Sequence, residues 1–269
     1  MPAAAVRKAY VPITAGEIHY RHVPGSGTPI VFLHRTPTPS SSFEPLMDGL
    51  AGLAPLFALD TPGFGGSFDP IGMPSVADYA RWIGAALDGL RIERCHLFGQ
   101  HTGALIATEL AATEPRRVVS LMLNGIPFLD AAEREKFVAL LQEPKPLDAD
   151  GAVLLDTWRR LMPLFPEFDA GLVSVELMNA LRAQEGRHQA FAALCAYDYP
   201  GRFKEVRCAV LAMCPVDDIF ARQFDRVFTA RPDAIRIDLG AAGVASPERQ
   251  ASDIARAVQS FLAALSHAE

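Results

Sequence analysis

The sequence has few of the features that mark metal, redox or nucleic-acid-binding proteins. It contains only four cysteines, Cys95, Cys195, Cys208 and Cys214, and no two of them form a CxxC pair. Neither a zinc site nor a redox pair is therefore indicated. Lys and Arg together number 25 against 31 Asp and Glu, a formal net charge of −6 at pH 7. A mildly acidic chain without basic clusters is a poor candidate for binding nucleic-acid phosphates.

Long apolar runs are missing as well. The N-terminal segment has no apolar stretch long enough for a signal peptide, and no run approaches the roughly 18 apolar residues of a membrane helix. Together with the few cysteines, this predicts a soluble protein in a reduced, cytoplasmic setting without a membrane partner. Half of the 269 residues are hydrophobic and 21% are charged, so the chain can bury a full core.

Short continuous apolar runs alternate with helical patterns along most of the chain. Such runs are typical of strands that are buried on both faces. The predicted strands cover residues 6–11, 17–22, 30–33, 56–60, 95–98, 118–123, 210–213 and 235–239. Apolar residues at helical spacing cover 75–90, 102–112 and 247–265, with Ser75 as the expected N-cap. The alternation predicts an α/β fold with a mostly parallel sheet of about eight strands and helices on both faces.

The segment Gly99-Gln100-His101-Thr102-Gly103 lies between a buried strand and an Ala-rich helix. Glycines two residues before and two residues after His101 predict a nucleophile elbow, a tight turn that raises its central side chain above the sheet. The glycines are needed because a Cβ there would clash with the neighbouring strand and helix.

Two further segments follow buried strands, His34-Arg35-Thr36-Pro37 and Asp60-Thr61-Pro62-Gly63-Phe64-Gly65-Gly66-Ser67. With the elbow they resemble, in order and spacing, the motifs of the α/β-hydrolase superfamily. The resemblance is strongest to the capped branch that contains epoxide hydrolases, haloalkane dehalogenases and C–C hydrolases. It implies an α/β-hydrolase fold.

Residues 128–200 break the alternation, because they are mostly helical in pattern and rich in proline. The resemblance implies that this stretch is a helical lid inserted into a core of residues 1–127 and 201–269; ordinary core helices are the alternative. The lid residues Trp158, Phe165 and Phe168 either line an apolar pocket or pack the lid itself.

The chain departs from the family at catalytic positions. His101 occupies the elbow position where the family has Ser, Asp or Cys, and the family's histidine falls on Gly243-Val244. Arg35 replaces the glycine of the family's HG pair. The family's acid maps to Asp217, which Asp218 follows. The resemblance therefore implies a degenerate triad that cannot perform Ser-His-Asp hydrolysis.

A histidine at the elbow can still be reactive, because a neutral imidazole needs no neighbouring base. With only Val244 at the family's histidine position, we expect His101 to lean into the vacated space and donate a hydrogen bond to Asp217. Such a dyad suits general-base work on water or on a substrate C–H. The alternative is that His101 is a polar residue in an inactive pocket, since His tolerates a positive φ.

The resemblance also assigns roles around His101. The family's oxyanion donors map to the backbone N–H groups of Thr36 and Thr102. His34 is expected as a structural hydrogen-bonder, with a metal site shared with His101 and Asp217 as the less favoured alternative. Arg35 either binds a substrate carboxylate or points to solvent.

These observations predict an α/β-hydrolase-like enzyme that acts on a small, mostly apolar carbonyl or ester compound. No cofactor or metal is expected, and a homodimer is compatible with the sequence. A catalytically inactive small-molecule-binding protein and a lyase or isomerase that uses His101 as acid and base are the alternatives.

Overall fold

The centre of the protein is a mixed sheet. The computed structural model describes residues 5–139, 141, 143–165 and 169–266. The strands in this part of the chain are β1 (Arg7–Ile13), β2 (Gly16–Val23), β3 (Ile30–Leu33), β4 (Leu56–Leu59), β5 (Cys95–Gln100), β6 (Val118–Asn124), β7 (Ala209–Pro215) and β8 (Ile235–Leu239). They form one eight-stranded sheet in the order β1-β2-β4-β3-β5-β6-β7-β8. The β1–β2 and β2–β4 pairs are antiparallel and the others are parallel, so the predicted sheet is confirmed.

Helices lie on both faces of this sheet. Their bounds are α1 (Glu44–Leu50), α2 (Val76–Gly89), α3 (Thr102–Thr113), α4 (Ala131–Val138), α5 (Ala152–Leu161), α6 (Ala170–Arg182), α7 (Gln184–Ala196), α8 (Tyr199–Phe203), α9 (Asp225–Ala230), α10 (Ser246–Arg249) and α11 (Ala251–Ser266). Helices α1 and α11 bury apolar residues on one face, and α2 and α3 do so on the other. Among the described residues, no helix is both long and apolar enough to cross a membrane.

Burial on both sides of the sheet explains the continuous apolar runs of the central strands, but the prediction is wrong for the edge strand β8, where Leu239 alone is buried. All four residues of β3 are fully buried. Val31 and Leu33 belong to the core under α2 and α3, whereas Ile30 and Phe32 belong to the core under α1 and α11. Because successive side chains of a strand point to opposite faces, both sets must be apolar.

The predicted start of the helix at Ser75 is confirmed, whereas the predicted extent of the C-terminal helix is wrong. Ser75 caps α2 through a capping box with Asp78, as its position predicts. The expected single helix over 247–265 is wrong, because it is divided into α10 and α11. Gln250 between them has a φ of −123° and a ψ of 29°, outside the helical region.

Helices α4 to α8 lie between β6 and β7, where the sequence predicts the lid. Helix α7 approaches the core closely, since Gly186 packs against the backbone of Gly63 and Gln189 donates to the carbonyls of Pro70 and Gly72. Tyr199 of α8 is buried in the main core. The division into core and lid remains a prediction; below, "lid helices" denotes α4 to α7.

Candidate active site

The elbow is built as a strand, a single strained residue and a helix. His101 has a φ of 47° and a ψ of −112°, and α3 begins at the next residue. A Cβ on Gly99 would lie 2.6 Å from the Gly103 carbonyl oxygen, and a Cβ on Gly103 would collide with the Leu33 carbonyl. Gly99 is therefore needed for β5 and the start of α3 to approach each other, and Gly103 for α3 to approach β3. The turn raises His101 above the carboxyl end of the sheet.

The imidazole of His101 is paired with a carboxylate. Its Nε2 lies 2.8 Å from Oδ2 of Asp218, and the two side chains are 7% and 0% exposed. The other carboxylate oxygen, Oδ1, accepts the backbone N–H of Phe220 at 2.8 Å. The Phe220 ring also packs edge-on against the imidazole, with ring centroids 5.1 Å apart. Asp218 is thus held in place on both oxygens.

This pairing fixes the chemistry of the two ring nitrogens. A carboxylate only accepts hydrogen bonds, so the neutral imidazole donates from Nε2–H and carries its lone pair on Nδ1. Within the described part of the chain, Nδ1 has no hydrogen-bond partner. His101 therefore presents a free basic nitrogen, oriented by Asp218.

The prediction that Asp217 would be the partner of His101 is wrong. Asp217 Oδ1 instead accepts the backbone N–H groups of Ala242 and Gly243, both at 2.9 Å. These donors satisfy the carboxylate, so it has no need of the imidazole. The two adjacent aspartates after β7 point to different neighbours, and Asp218 is the one directed at the elbow.

Gly125 is a site residue that the sequence analysis missed. It follows β6, has a φ of +60°, and donates its N–H to the Met213 carbonyl at 3.0 Å. A Cβ at this position would collide with Nε2 of His101 and lie 3.0 Å from Oδ2 of Asp218. Gly125 therefore leaves the space in which the His101–Asp218 hydrogen bond forms. The signal was an Asn-Gly pair at the end of the strand beside the elbow strand.

The loop at the family's histidine position is packed rather than vacant. Val244 is buried in an apolar cluster with Phe165, which lies between α5 and α6, and with Val173 of α6. Its carbonyl accepts a hydrogen bond from the side chain of Gln100 at 2.9 Å. The loop is thus held to the elbow strand, and the expected gap beside Val244 is filled by lid side chains.

Thr36 and Thr102 lie next to each other at the site. Their hydroxyl oxygens are 2.9 Å apart. In residues 5–139, 141, 143–165 and 169–266, neither backbone N–H has a protein acceptor. The Thr102 N–H is in the first turn of α3, where the helix dipole adds positive potential. Two unused donors beside a basic nitrogen are suited to stabilising a developing oxyanion.

Arg35 neither points to solvent nor is free for a substrate carboxylate, so both expectations for it are wrong. Its side chain is 2% exposed, with one NH₂ group 3.0 Å from Glu176 of α6 and the other 3.1 Å from Glu248 of α10. Both terminal nitrogens of the guanidinium are therefore bonded to protein carboxylates, whereas the buried Nε–H has no hydrogen-bond partner among the described residues. Burial raises the pKa of Glu248, against the lowering effect of Arg35.

His34 has a structural role. Its Nδ1–H donates to the Arg35 carbonyl at 2.9 Å, and its Nε2 accepts the Thr61 N–H at 2.9 Å. Burial lowers the pKa of His34, which keeps the ring neutral. Both nitrogens are used, which leaves no lone pair for a metal. Among the described residues, no group of three His, Cys, Asp or Glu side chains could hold a metal ion.

The space above His101 is small. His101, Thr36, Thr102, Arg35 and Val244 line a cavity of about 60 Å³. Its remaining lining residues, from the lid region and the loop after β7, are Leu164, Glu176, Phe191, Leu194, Ile219 and Phe220.

Two of the three predicted lid aromatics can be placed, and neither lines this cavity. Phe165 is 4% exposed in the cluster around Val244, and Trp158 packs against the same cluster. Phe168 lies outside the described residues. The aromatic side chains that do line the cavity are Phe191 and Phe220.

Comparison with known proteins agrees with this architecture. A haloalkane dehalogenase from Mesorhizobium japonicum is 32% identical over 119 residues, 44% of this chain and 38% of that protein. A 2-hydroxymuconate semialdehyde hydrolase from a Pseudomonas species is 33% identical over 194 residues, 68% of this chain and 64% of that protein. The matched part of the chain thus spans less than two thirds of either relative.

A solved structure of E-2-(acetamidomethylene)succinate hydrolase has the same fold, with a TM-score of 0.80 at 20% identity over 96% of this chain and 99% of that one. The family model described as alpha/beta hydrolase fold matches residues 28–195, more than half of the chain. The expected resemblance is confirmed: the chain belongs to the α/β-hydrolase fold family, whose elbow position it fills with a histidine.

Proposed function

We propose that the protein is an α/β-hydrolase-type enzyme that hydrolyses a small, mostly apolar ester or related carbonyl compound. His101 acts as the base, Asp218 orients it, and the N–H groups of Thr36 and Thr102 receive the oxyanion. The observation that carries this proposal is the buried 2.8 Å contact between His101 Nε2 and Asp218 Oδ2, which leaves Nδ1 unpartnered beside two unused donors.

In the proposed steps, His101 takes up one proton and later returns it. Nδ1 takes a proton from a water molecule while the water oxygen attacks the carbonyl carbon, and the carbonyl oxygen becomes an oxyanion that the two N–H groups bind. Asp218 stabilises the imidazolium through Nε2–H. When the tetrahedral intermediate collapses, Nδ1–H returns the proton to the leaving oxygen, which departs as an alcohol.

Direct attack by Nδ1 is the competing route to the same products. It would form an acyl-imidazolium that water then hydrolyses. The activated-water route is favoured because the leaving oxygen receives its proton from His101 itself, whereas direct attack by an unprotonated imidazole leaves the departing alkoxide without a donor.

One relative is in line with a carbonyl substrate, since it is named 2-hydroxymuconate semialdehyde hydrolase. Another is named haloalkane dehalogenase, so the choice of a carbonyl compound rests on the two N–H groups that can bind an oxyanion.

One observation favours a binding protein without turnover. A cavity of about 60 Å³ is well below the roughly 300–1,000 Å³ of typical small-molecule sites. A protein that only holds a small ligand next to His101 needs no additional water position.

A proton transfer from a substrate C–H, as in a lyase or isomerase, would use the same Nδ1 and the same two N–H groups.

Turnover of activated aryl acetates by the wild type and by His101→Ala tests the proposal. We expect the variant to lose at least about 100-fold in kcat/KM, as the removal of a general base does. Because imidazole itself reacts with activated esters, His22→Ala on strand β2, which does not line the cavity at His101, serves as the control and should match the wild type. Equal rates in wild type and His101→Ala would refute the proposal, and a ligand-induced rise in Tm without turnover would favour the binding protein.

A further inference from the structure

The cavity at His101 can hold only a small part of a substrate. Its volume is about 60 Å³, whereas sites for small molecules usually measure roughly 300–1,000 Å³. A carbonyl compound larger than a short acyl group therefore needs additional space next to the cavity.

A second, open cleft of about 500 Å³ supplies such space. It lies between α6 and the turn before α1, with Val175 and Leu172 on the lid side and Ser41 on the core side. Arg35 and Glu176 line both the cleft and the cavity. The ion pair between these two side chains thus forms the wall between the two spaces.

We propose that the cleft is the second half of the substrate-binding site, that it joins the cavity when the Arg35–Glu176 pair opens, and that it takes the longer, uncharged part of a carbonyl substrate. This inference rests on the proposed function, since it places the carbonyl group at His101.

The arrangement around Arg35 lets this wall open without leaving a buried charge unpaired. Glu176 belongs to α6, whereas Glu248 belongs to α10 in the core. If α6 moves outwards, Arg35 keeps its contact with Glu248, and Glu176 moves with α6 towards the open cleft. An arginine with a single carboxylate partner could not do this, because separation would leave its guanidinium buried and unpaired.

The charges at the wall and in the cleft favour an uncharged ligand. Arg35 is already bonded to two carboxylates, and the other guanidinium of the cleft, that of Arg249, also has an interaction partner. The acidic side chains that line the cleft are Glu44, Asp169, Glu176 and Glu248. A substrate carboxylate would therefore meet acidic groups without an available cation.

The apolar side chains indicate what the ligand presents to the cleft. Phe165, Leu172 and Val175 line the lid side, and Val175 is 51% exposed. An alkyl chain would cover these surfaces and remove them from water, which is favourable in proportion to the apolar area buried.

Binding of unreactive ketones tests the proposal independently of turnover. Isothermal titration of the full-length protein would compare butanone, which extends little beyond the carbonyl, with 2-nonanone and with 8-oxononanoate, which replaces the terminal methyl group of 2-nonanone by a carboxylate. We expect 2-nonanone to bind at least about tenfold more tightly than 8-oxononanoate.

Two neighbouring positions on α6 provide a matched pair of variants. Val175 lines the cleft and Ser174 does not, and both are exposed. Val175→Trp should weaken 2-nonanone binding at least about fivefold and leave butanone unchanged, whereas Ser174→Trp should change neither. If Val175→Trp fails to fold, Ser41→Trp fills the cleft from the core side.

Three results would overturn the inference: no binding of 2-nonanone to the wild type, equal affinity for the carboxylate, or equal behaviour of the two tryptophan variants on α6. These failures are distinct from failure of the proposed function. If 2-nonanone binds as expected but no ester is hydrolysed, the cleft stands and the hydrolase proposal falls. If turnover depends on His101 but Val175→Trp does not change 2-nonanone binding, the hydrolase proposal stands and the cleft proposal falls.

Discussion

At the scale of single residues, the site depends on which of two adjacent carboxylates faces the elbow. Asp218 contacts His101, and Asp217 binds the backbone of the loop at Ala242 and Gly243. The two residues have the same chemistry and differ only in direction. Their substitutions should therefore separate a role in turnover from a role in holding the loop.

Asp218→Asn should lower kcat for the aryl acetate at least about 100-fold, because an amide cannot stabilise the imidazolium as a carboxylate does. Asp217→Asn retains an oxygen acceptor for the two loop N–H groups, so kcat should stay within about threefold and stability should fall by about 1 kcal/mol. Steady-state kinetics and urea unfolding measure both. If Asp217→Asn lowered kcat more than Asp218→Asn does, Asp217 would be the partner of His101, as the sequence predicts.

Gly125→Ala should abolish most of the activity, because the added methyl group collides with His101 Nε2. The matched control is Gly151→Ala: Gly151 has a similar φ of +71°, but nothing lies within 4 Å of an added Cβ. Both variants carry the strain of a left-handed alanine, of order 1 kcal/mol. Only Gly125→Ala should lose turnover while its circular dichroism spectrum stays native, and similar kinetic losses in both would contradict the steric argument.

At the scale of elements, Arg35 makes a buried ionic contact between α6 and the core. This guanidinium joins a lid helix to α10 through two buried carboxylates. The cluster carries one positive and two negative formal charges, so its members are not equivalent. Removing a carboxylate improves the charge balance, whereas removing the arginine leaves two carboxylates facing each other.

Arg35→Met should therefore cost about 3–5 kcal/mol of unfolding free energy, the range for a buried charge left uncompensated. Glu176→Gln keeps an acceptor for Arg35 and the Thr38 hydroxyl, so its cost should be about 1 kcal/mol. Urea unfolding at pH 7 compares the two variants. Equal costs would show that the second carboxylate, Glu248, does not support Arg35 when Glu176 is lost.

At the scale of the whole molecule, the acid stability depends on a buried carboxylate between the sheet and its loops. Asp60 accepts hydrogen bonds from the His19 ring and from the backbone N–H groups of Ser40 and Gly66. Burial alone would raise the pKa of Asp60, but these bonds outweigh it and lower the pKa to about 2. The group thus ties strand β2 and the loop after β4 to the turn before α1.

The folded-state pKa of Asp60 lies below its value of 3.8 in the unfolded chain. Its contribution to stability is therefore present above about pH 4 and is lost as the pH falls towards 2. The shift corresponds to about 2 kcal/mol. Asp60→Asn should be less stable than wild type at pH 6 and lose less stability between pH 4 and pH 2. Asp48→Asn, at an exposed position on α1, is the control, and an Asp60→Asn profile parallel to the wild type would refute the assignment.

Most of the fold could be predicted from the sequence because its signals are local. Apolar runs such as residues 30–33 are strands because both faces of each strand are covered, and the Gly99 and Gly103 spacing reports a close approach of strand and helix. The helix break at Gln250 was missed, because the helical spacing of apolar residues over 247–265 gives no sign of a break. Gly125 was missed because its importance arises from His101, which is distant in sequence.

The sequence by itself determined the α/β sheet and the elbow with His101 at its centre, because periodicity and glycine spacing are properties of neighbouring residues. The loss of the family's own histidine, which the resemblance implies, stays a prediction. Only the tertiary structure decided that Asp218 rather than Asp217 holds His101, and that Arg35 is buried between Glu176 and Glu248. Each of these outcomes depends on the direction of a side chain relative to a segment more than 100 residues away. Such directions follow from how the packed elements meet, which no local pattern encodes.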